Sequence, residues 1–251
     1  MTYCYTNINK YDIPRKRDKS TMNNLKKIMF PNIEEEKLNL LMIDEPSISY
    51  ITYASSAQEI TNVIMNNLTD FPCPASSETQ SWSELNHHEK MKHLVMTDMT
   101  AGVGGNVLNF SKFFKYVNAI EIDRTRYEYL KKNISIYNYI NVNCYCDNSV
   151  NMLIDNKTIS QDILFFDPPW GGKLYKLHDS LKLFLRREEE EDDESNPIEK
   201  IIKNILENET KMAVVKLPKN YDFEYFENEL APMKCSNFAL DRMNIMIVKN
   251  Y

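Results

Sequence analysis

The sequence predicts an α/β fold: an open, mostly parallel sheet with helices on both faces, closed by a C-terminal antiparallel hairpin and preceded by an N-terminal helical extension. Three observations predict it. From residue 93 onward, short apolar runs alternate with helical stretches, the pattern of repeated strand–helix–strand units. The chain has only five glycines in 251 residues, and they fall in two clusters just after apolar runs, Gly102, Gly104, Gly105 and then Gly171, Gly172. Acids end three successive runs, at Asp98, Glu121 and Asp147.

Each element follows from its own pattern. Residues 1–30 carry seven Lys/Arg against two Asp and read as a basic, flexible arm: a nucleic-acid tether, a sorting signal or a tail. Residues 31–90 read as a helical substrate or lid region, with its clearest helix at Ala57-Gln-Glu-Ile-Thr-Asn-Val-Ile-Met and a Pro/Ser/Thr-rich loop from Asp70 to Ser83. Residues 91–251 hold the sheet. Its strands are His93–Asp98, Val117–Glu121, Asn141–Cys146, Asp162–Phe166 and Met212–Lys216. Helices are expected from about Asn106 to Lys115, through Tyr127 and Leu130 to about Tyr137, and around Ile198 to Leu206. Cys235–Leu240 and Ile245–Lys249 flank Asp241-Arg-Met-Asn as the closing hairpin.

Composition excludes several classes. No run approaches the ~18 consecutive apolar residues of a membrane span, and Met-Thr-Tyr-Cys-Tyr-Thr-Asn has no apolar signal core, so the expectation is a soluble chain, not secreted, working in the nucleus or cytoplasm. Five scattered cysteines without C-x-x-C spacing argue against a disulfide framework or zinc site. His87, His88, His93 and His178 lack metal-ligand spacing, so no metal is expected, and the aromatics of Lys112-Phe-Phe-Lys-Tyr116 read as packing. The net charge of −6 is a misleading average: Glu188 to Glu194 is a run of seven acids, within a loop placed at 187–196, and without it the chain would stand at +1. The richness in Asn, Lys, Ile and Tyr is that of an A/T-rich genome. The chain is read as a monomer.

The chemistry lies in the two glycine clusters. In Asp98-Met-Thr-Ala-Gly-Val-Gly-Gly-Asn106, glycines between strand and helix let the backbone approach a cofactor, although the pattern is not G-x-G-x-x-G. Glu121 at the next strand end suits two ribose hydroxyls, and Asp147 at the third suits an adenine amino group; an Asp after a strand is also a common helix N-cap. Asp98, Thr100, Gly102, Gly104, Glu121 and Asp147 are therefore candidate ligands of an adenosyl cofactor. The second cluster, Phe165-Phe-Asp-Pro-Pro-Trp-Gly-Gly172, is more specific. Asp167 and the Pro168 carbonyl can accept N–H bonds from an amino group and so aim its lone pair, the prolines stiffen the turn, and Trp170 can stack on a base, best on a cationic one. The alternative is a turn around a core tryptophan.

These residues carry a resemblance. Asp167-Pro-Pro-Trp is similar to the motif of amino-group methyltransferases, and five parallel strands with a terminal hairpin resemble the class I, Rossmann-like order, which a dehydrogenase domain shares at its start. Pro-Pro-Trp-Gly-Gly with Tyr175 close behind, Gly102 to Asn106, Leu217-Pro-Lys-Asn220 and Tyr53-Ala-Ser-Ser-Ala-Gln-Glu-Ile60 together resemble the trimethylguanosine synthase family, the cap guanine-N2 methyltransferases, over residues 50–251. The resemblance implies S-adenosyl-L-methionine as cofactor, with Ser56 and Asp167 among its contacts, and capped RNA as partner. It implies Trp170 stacked on 7-methylguanine, Asp167, Pro168 and Trp170 as the catalytic group, and Tyr175, Lys219 and Asn220 toward the cap phosphates. It suggests a viral or A/T-rich-genome member. The chain departs from the family in having Asp167 where Ser is frequent, Lys219 for Arg and Ser56-Ala57 for Thr-Pro, and in the acidic run and the Asp70–Ser83 loop. Alternatives are an N6-adenine or ribosomal guanine-N2 methyltransferase, a non-catalytic RNA-binding module, or a nucleotide-binding oxidoreductase.

Overall fold

The computed structural model describes residues 19–74, 81–154, 159–185, 196–208 and 210–251. Four helices come first: α1 (Lys19–Met29), α2 (Glu35–Leu40), α3 (Ala54–Asn66) and α4 (His87–Met91). The alternating region follows with β1 (Val95–Asp98), α5 (Val107–Phe110), β2 (Tyr116–Glu121), α6 (Arg124–Ile136), β3 (Val142–Cys146), α7 (Ser149–Ile154) and β4 (Ile163–Phe166). Then come β5 (Phe184–Leu185), β6 (Asn196–Pro197), α8 (Ile198–Asn208), β7 (Met212–Leu217), α9 (Phe223–Leu230), β8 (Lys234–Ala239) and β9 (Asn244–Lys249).

Seven strands form one sheet in the order β3-β2-β1-β4-β7-β9-β8. The first five are parallel; β9 runs antiparallel to β7, and β8 to β9. The closing pair is antiparallel because the link between its strands is a tight turn, held by Leu240 N–H on the Met243 carbonyl at 2.9 Å, and a parallel crossover needs a dozen residues or more. β1, β4 and β7 are buried throughout, as a parallel sheet covered on both faces requires. Side-chain alternation divides the core in two. Ile163, Phe165, Met212, Val214, Ile245 and Ile247 pack with Met29, Phe30, Ile60, Ile64, Phe110 and Leu130, on the face covered by α1 to α6. Leu164, Phe166, Ala213, Val215, Met246 and Val248 pack with Ile198, Ile202, Phe226 and Leu230 of α8 and α9. Strand order reverses between β1 and β4, and their carboxyl ends open the crevice where ligands of such sheets bind.

Several elements differ from the sequence reading. The helix expected from Asn106 to Lys115 keeps one α turn. Ser111 Oγ turns back onto the Val107 carbonyl at 2.6 Å, and Lys115 N–H is already bonded to Leu94 O at 3.0 Å, drawing the chain into the sheet. Residues 19–30, given to the basic arm, form α1 and its end, where Met22, Leu25 and Met29 make an apolar stripe that packs on the core. Residues 1–18 lie outside the described residues. So does the acidic run Glu188 to Glu194, but the two-residue ladder of β5 and β6 brings the chain on either side of it together. Among the described residues, no helix is long and apolar enough to cross a membrane.

Candidate active site

The carboxyl ends of β1 and β2 shape one wall. After β1 the chain folds over Asp98, whose Oδ1 accepts from Thr100 N–H at 3.0 Å, while Oδ2 is buried with no hydrogen-bond partner. Asp98 is fully buried, and that burial, little offset by the Thr100 N–H and reinforced by the charges of Asp167 and Glu121, pushes its carboxyl up to about 7. Glu121 anchors the glycine loop: its Oε2 accepts from Gly102 N–H and its Oε1 from Asp123 N–H, both at 2.8 Å. Burial raises the Glu121 carboxyl too, opposed by those two N–H groups. A carboxylate has about four lone-pair positions, so Glu121 retains accepting capacity. Gly104 sits in the same loop, against Leu108 and Leu130. At Gly105 the loop meets the strand-like segment before α3: a Cβ there would lie 2.8 Å from both Ile51 Cγ1 and Thr52 O. Asp147 is half-buried at the end of β3, where its N–H bonds Glu121 O at 3.2 Å and its Oδ1 accepts from Asn148 N–H at 2.8 Å.

The ends of β4 and β7 make the other wall. Asp167 N–H donates to Thr100 Oγ1 at 3.0 Å, which joins the two glycine-bearing loops. Oδ2 of Asp167 receives the Lys216 ammonium at 2.6 Å, and the Thr52 hydroxyl lies 3.5 Å from the same oxygen. Lys216 Nζ also donates to Thr52 Oγ1 at 2.9 Å, as does Asn106 Nδ2 at 3.1 Å. Burial raises the Asp167 carboxyl above its ordinary range, and the Lys216 ammonium and Thr52 pull it back. Pro168 is buried behind it. Half-buried Trp170 donates Nε1–H to Lys216 O at 3.3 Å and meets the Tyr175 ring edge-on, with centroids 5.3 Å apart. At Gly171, with φ 87°, the chain turns through a conformation that suits glycine into the helical turn Gly172–Leu177. Asn220 ties the loop after β7 to this turn by donating to Tyr175 O at 2.8 Å and His178 O at 2.7 Å.

The structure thus brings Asp98, Thr100, Gly102, Glu121, Asp167, Pro168 and Trp170 to one edge of the sheet, with Tyr175 beside Trp170 and Asn220 bonded to the Tyr175 carbonyl. Lys219 is exposed in the loop after β7, and Ser56 is half-buried in the first turn of α3. From that segment it is Thr52, not singled out in the sequence, that reaches Asp167. Lys216 was missed as well, although a lone charge inside Met-Ala-Val-Val-Lys-Leu, a strand buried along its length, was the signal that could have found it. Among the described residues no group of His, Cys, Asp or Glu could hold a metal ion. His87 bonds Thr69 at 3.1 Å, and His88 and His93 pack edge-on against Phe113 and Trp82.

A sheet of this order, ending in an antiparallel pair and carrying a glycine loop after β1 and Asp-Pro-Pro-Trp after β4, defines a class I methyltransferase. The model of the RNA cap guanine-N2 methyltransferase family matches residues 93–240, more than half of the chain, and the chain belongs to that family. Methyltransferases of this family take their methyl group from S-adenosylmethionine. Protein L320 of Acanthamoeba polyphaga mimivirus is 50% identical over 231 residues, 92% of this chain and 87% of the viral one. Among solved structures, the T. thermophilus 16S rRNA N2 G1207 methyltransferase (RsmC), in complex with AdoMet and guanosine, aligns with a TM-score of 0.52 at 11% identity, over 84% of this chain and 44% of that one. A methylase of Haemophilus influenzae, HI0767, aligns with a TM-score of 0.46 at 15% identity, over 77% and 98% of the two chains.

Proposed function

We propose that this methyltransferase acts on the exocyclic N2 amino group of the 7-methylguanosine cap of RNA. The observation that carries the reading is the Asp167-Pro-Pro-Trp170 turn: an acceptor carboxylate fixed on the sheet edge beside a tryptophan whose indole N–H is itself tied to β7.

The residues present fit the methyl donor. Asp98 Oδ2 is a buried acceptor without a partner, suited to the α-ammonium of S-adenosylmethionine. Thr100 and Gly102 border the methionine end, and a Cβ at Gly102 would meet nothing within 4 Å, so the loop leaves room. Glu121 would take the ribose hydroxyls and Asp147 the adenine amino group, with the exposed side chain of Ile122 offering an apolar face next to them. Ser56 would border the site from α3. When bound, the cofactor supplies an electrophilic methyl group on a sulfonium.

This chain's residues would then orient the acceptor. Asp167 and the Pro168 carbonyl accept the two N–H bonds of the amino group, which turns its lone pair toward the donor and shares the positive charge that develops on nitrogen. Trp170 holds the purine plane, and a 7-methylated, cationic guanine gains most from that π face. Tyr175 and Lys219 line the way out toward the cap phosphates, and Asn220, whose two N–H bonds go to Tyr175 O and His178 O, holds the turn that carries Tyr175. The proton leaves to solvent or through Asp167. Competition assays test the reading: methyl transfer is expected to 7-methyl-GTP well ahead of GTP, with none to adenine in uncapped RNA. Equal rates on GTP and 7-methyl-GTP would contradict the stacking role, and transfer to adenine would contradict the cap reading.

A further inference from the structure

We propose that Lys216 is a positioning residue for methyl transfer: its ammonium clamps Oδ2 of Asp167 and leaves Oδ1 as the carboxylate oxygen that accepts from the acceptor amino group. The inference rests on the amino-acceptor reading above and goes beyond the Asp-Pro-Pro-Trp motif, since Lys216 lies 49 residues from Asp167 in sequence.

The geometry accounts for two of the ammonium's three donors and sets its charge over an aromatic ring. A lysine has three N–H bonds. One goes to Asp167 Oδ2 at 2.6 Å and one to Thr52 Oγ1 at 2.9 Å, and the nitrogen sits over the Trp170 ring, 5.3 Å from its centroid. Lys216 is 6% exposed, so these are its partners in place of water. An ammonium held this way is not the group that accepts methyl; it is part of the frame. Because the same nitrogen bonds the carboxylate and the hydroxyl before α3 and lies over the tryptophan ring, one residue sets the relative position of the two groups assigned to the acceptor base.

Charge makes the clamp necessary. Asp167 shares its sheet edge with Asp98, whose carboxyl its charge raises, and with Glu121, which Arg126 and Asp123 face; Lys216 is the cation that acts on Asp98 and Asp167, and the Thr52 hydroxyl adds a hydrogen bond to Asp167. Without Lys216, burial would drive Asp167 toward its protonated form. A protonated carboxyl presents an O–H donor where the amino group needs an acceptor. Burying a charge is tolerated only with such pairing, so removing one partner acts on the other.

The test compares Lys216→Met, Lys216→Arg and Asp167→Asn in the full chain. Asp167 is followed by carbon NMR of labelled aspartate carboxyls, assigned with Asp167→Asn and Asp98→Asn, and single-turnover methyl transfer to 7-methyl-GTP is followed across pH. In Lys216→Met, the Asp167 carboxyl should titrate at higher pH, the acid limb of the rate profile should move the same way, and the rate at neutral pH should fall about 100-fold, as expected when a positioning contact is lost. Binding of S-adenosylhomocysteine should stay within about 3-fold, a change below what one lost charge contact produces, and Lys216→Arg should recover part of the rate. If Lys216→Met does not bind S-adenosylhomocysteine, Lys216→Gln, which keeps a donor and drops the charge, carries the same expectation. An Asp167 titration that is the same with and without Lys216 would overturn the proposal, as would a shifted titration with an unchanged rate profile. A wild-type protein that methylates no amino group would sink the functional reading instead, while the titration would still decide the role of Lys216.

Discussion

Asp98 and Asp167 are the same side chain in two settings, and the difference sets what each can do. Asp98 is fully buried and keeps one oxygen unpartnered, while Asp167 is held by an ammonium and a hydroxyl. Burial pushes the Asp98 carboxyl up to about 7, so in the proposed pairing with the cofactor's ammonium it must first lose a proton. Affinity for S-adenosylhomocysteine should therefore fall as pH drops through about 7, approaching tenfold per pH unit below it. Calorimetry across that range, with Asp98→Asn binding more weakly and losing the slope, checks the assignment. Trp170→Ala should lower methyl transfer to 7-methyl-GTP at least 100-fold, in the range of lost base stacking plus misalignment, and leave S-adenosylhomocysteine binding nearly intact; loss of both would point to a folding role. The acids and the tryptophan were legible in the sequence because they follow apolar runs at strand ends. The Lys216 and Thr52 pairing was not, since the two are 164 residues apart and meet only once the segment before α3 lies on the glycine loop.

At the scale of elements, that contact is made by Gly105. Any side chain there would run into Thr52 O and Ile51, 2.8 Å away, and both are held in place by the core behind them. Gly105→Ala should cost roughly 1–3 kcal/mol in urea unfolding, the usual penalty for overpacking a tight site, and should slow methyl transfer by displacing Thr52 from Asp167 and Lys216. An alanine variant with unchanged stability and methyl-transfer rate would show that the segment is loosely held. The sheet strands were readable from their apolar runs. α9 had its signals, an Asp222 cap bonded to Tyr225 N–H at 3.0 Å and apolar residues at Phe223, Phe226 and Leu230, but in only eight residues. The β5–β6 ladder had no pattern to read: it is two residues on each side, one of them proline.

For the molecule as a whole, the N-terminal helices are part of the core. Met29, Phe30, Leu38, Ile60 and Ile64 are all under 3% exposed and pack with the sheet residues Ile163, Phe165 and Ile247. The family match begins at residue 93, yet the face of the sheet beneath those helices is apolar and would be left open without them. The full chain should unfold in a single transition, and a version beginning at residue 91 should fail to give a soluble, cofactor-binding protein; a stable truncated sheet would contradict the shared core. Composition had divided these regions, because polar and basic residues dominate the surface of α1 while its buried stripe is three residues wide.

The substrate can be read directly from the methylated product. A 7-methylated cap analogue is incubated with the protein and S-adenosylmethionine, and the product is analysed by mass spectrometry with fragmentation. Added methyl is expected on the base, at the N2 amino group, dependent on both the 7-methyl mark and Trp170. An unmodified cap analogue in the presence of a protein that binds S-adenosylhomocysteine, or methyl found on the ribose, would contradict it.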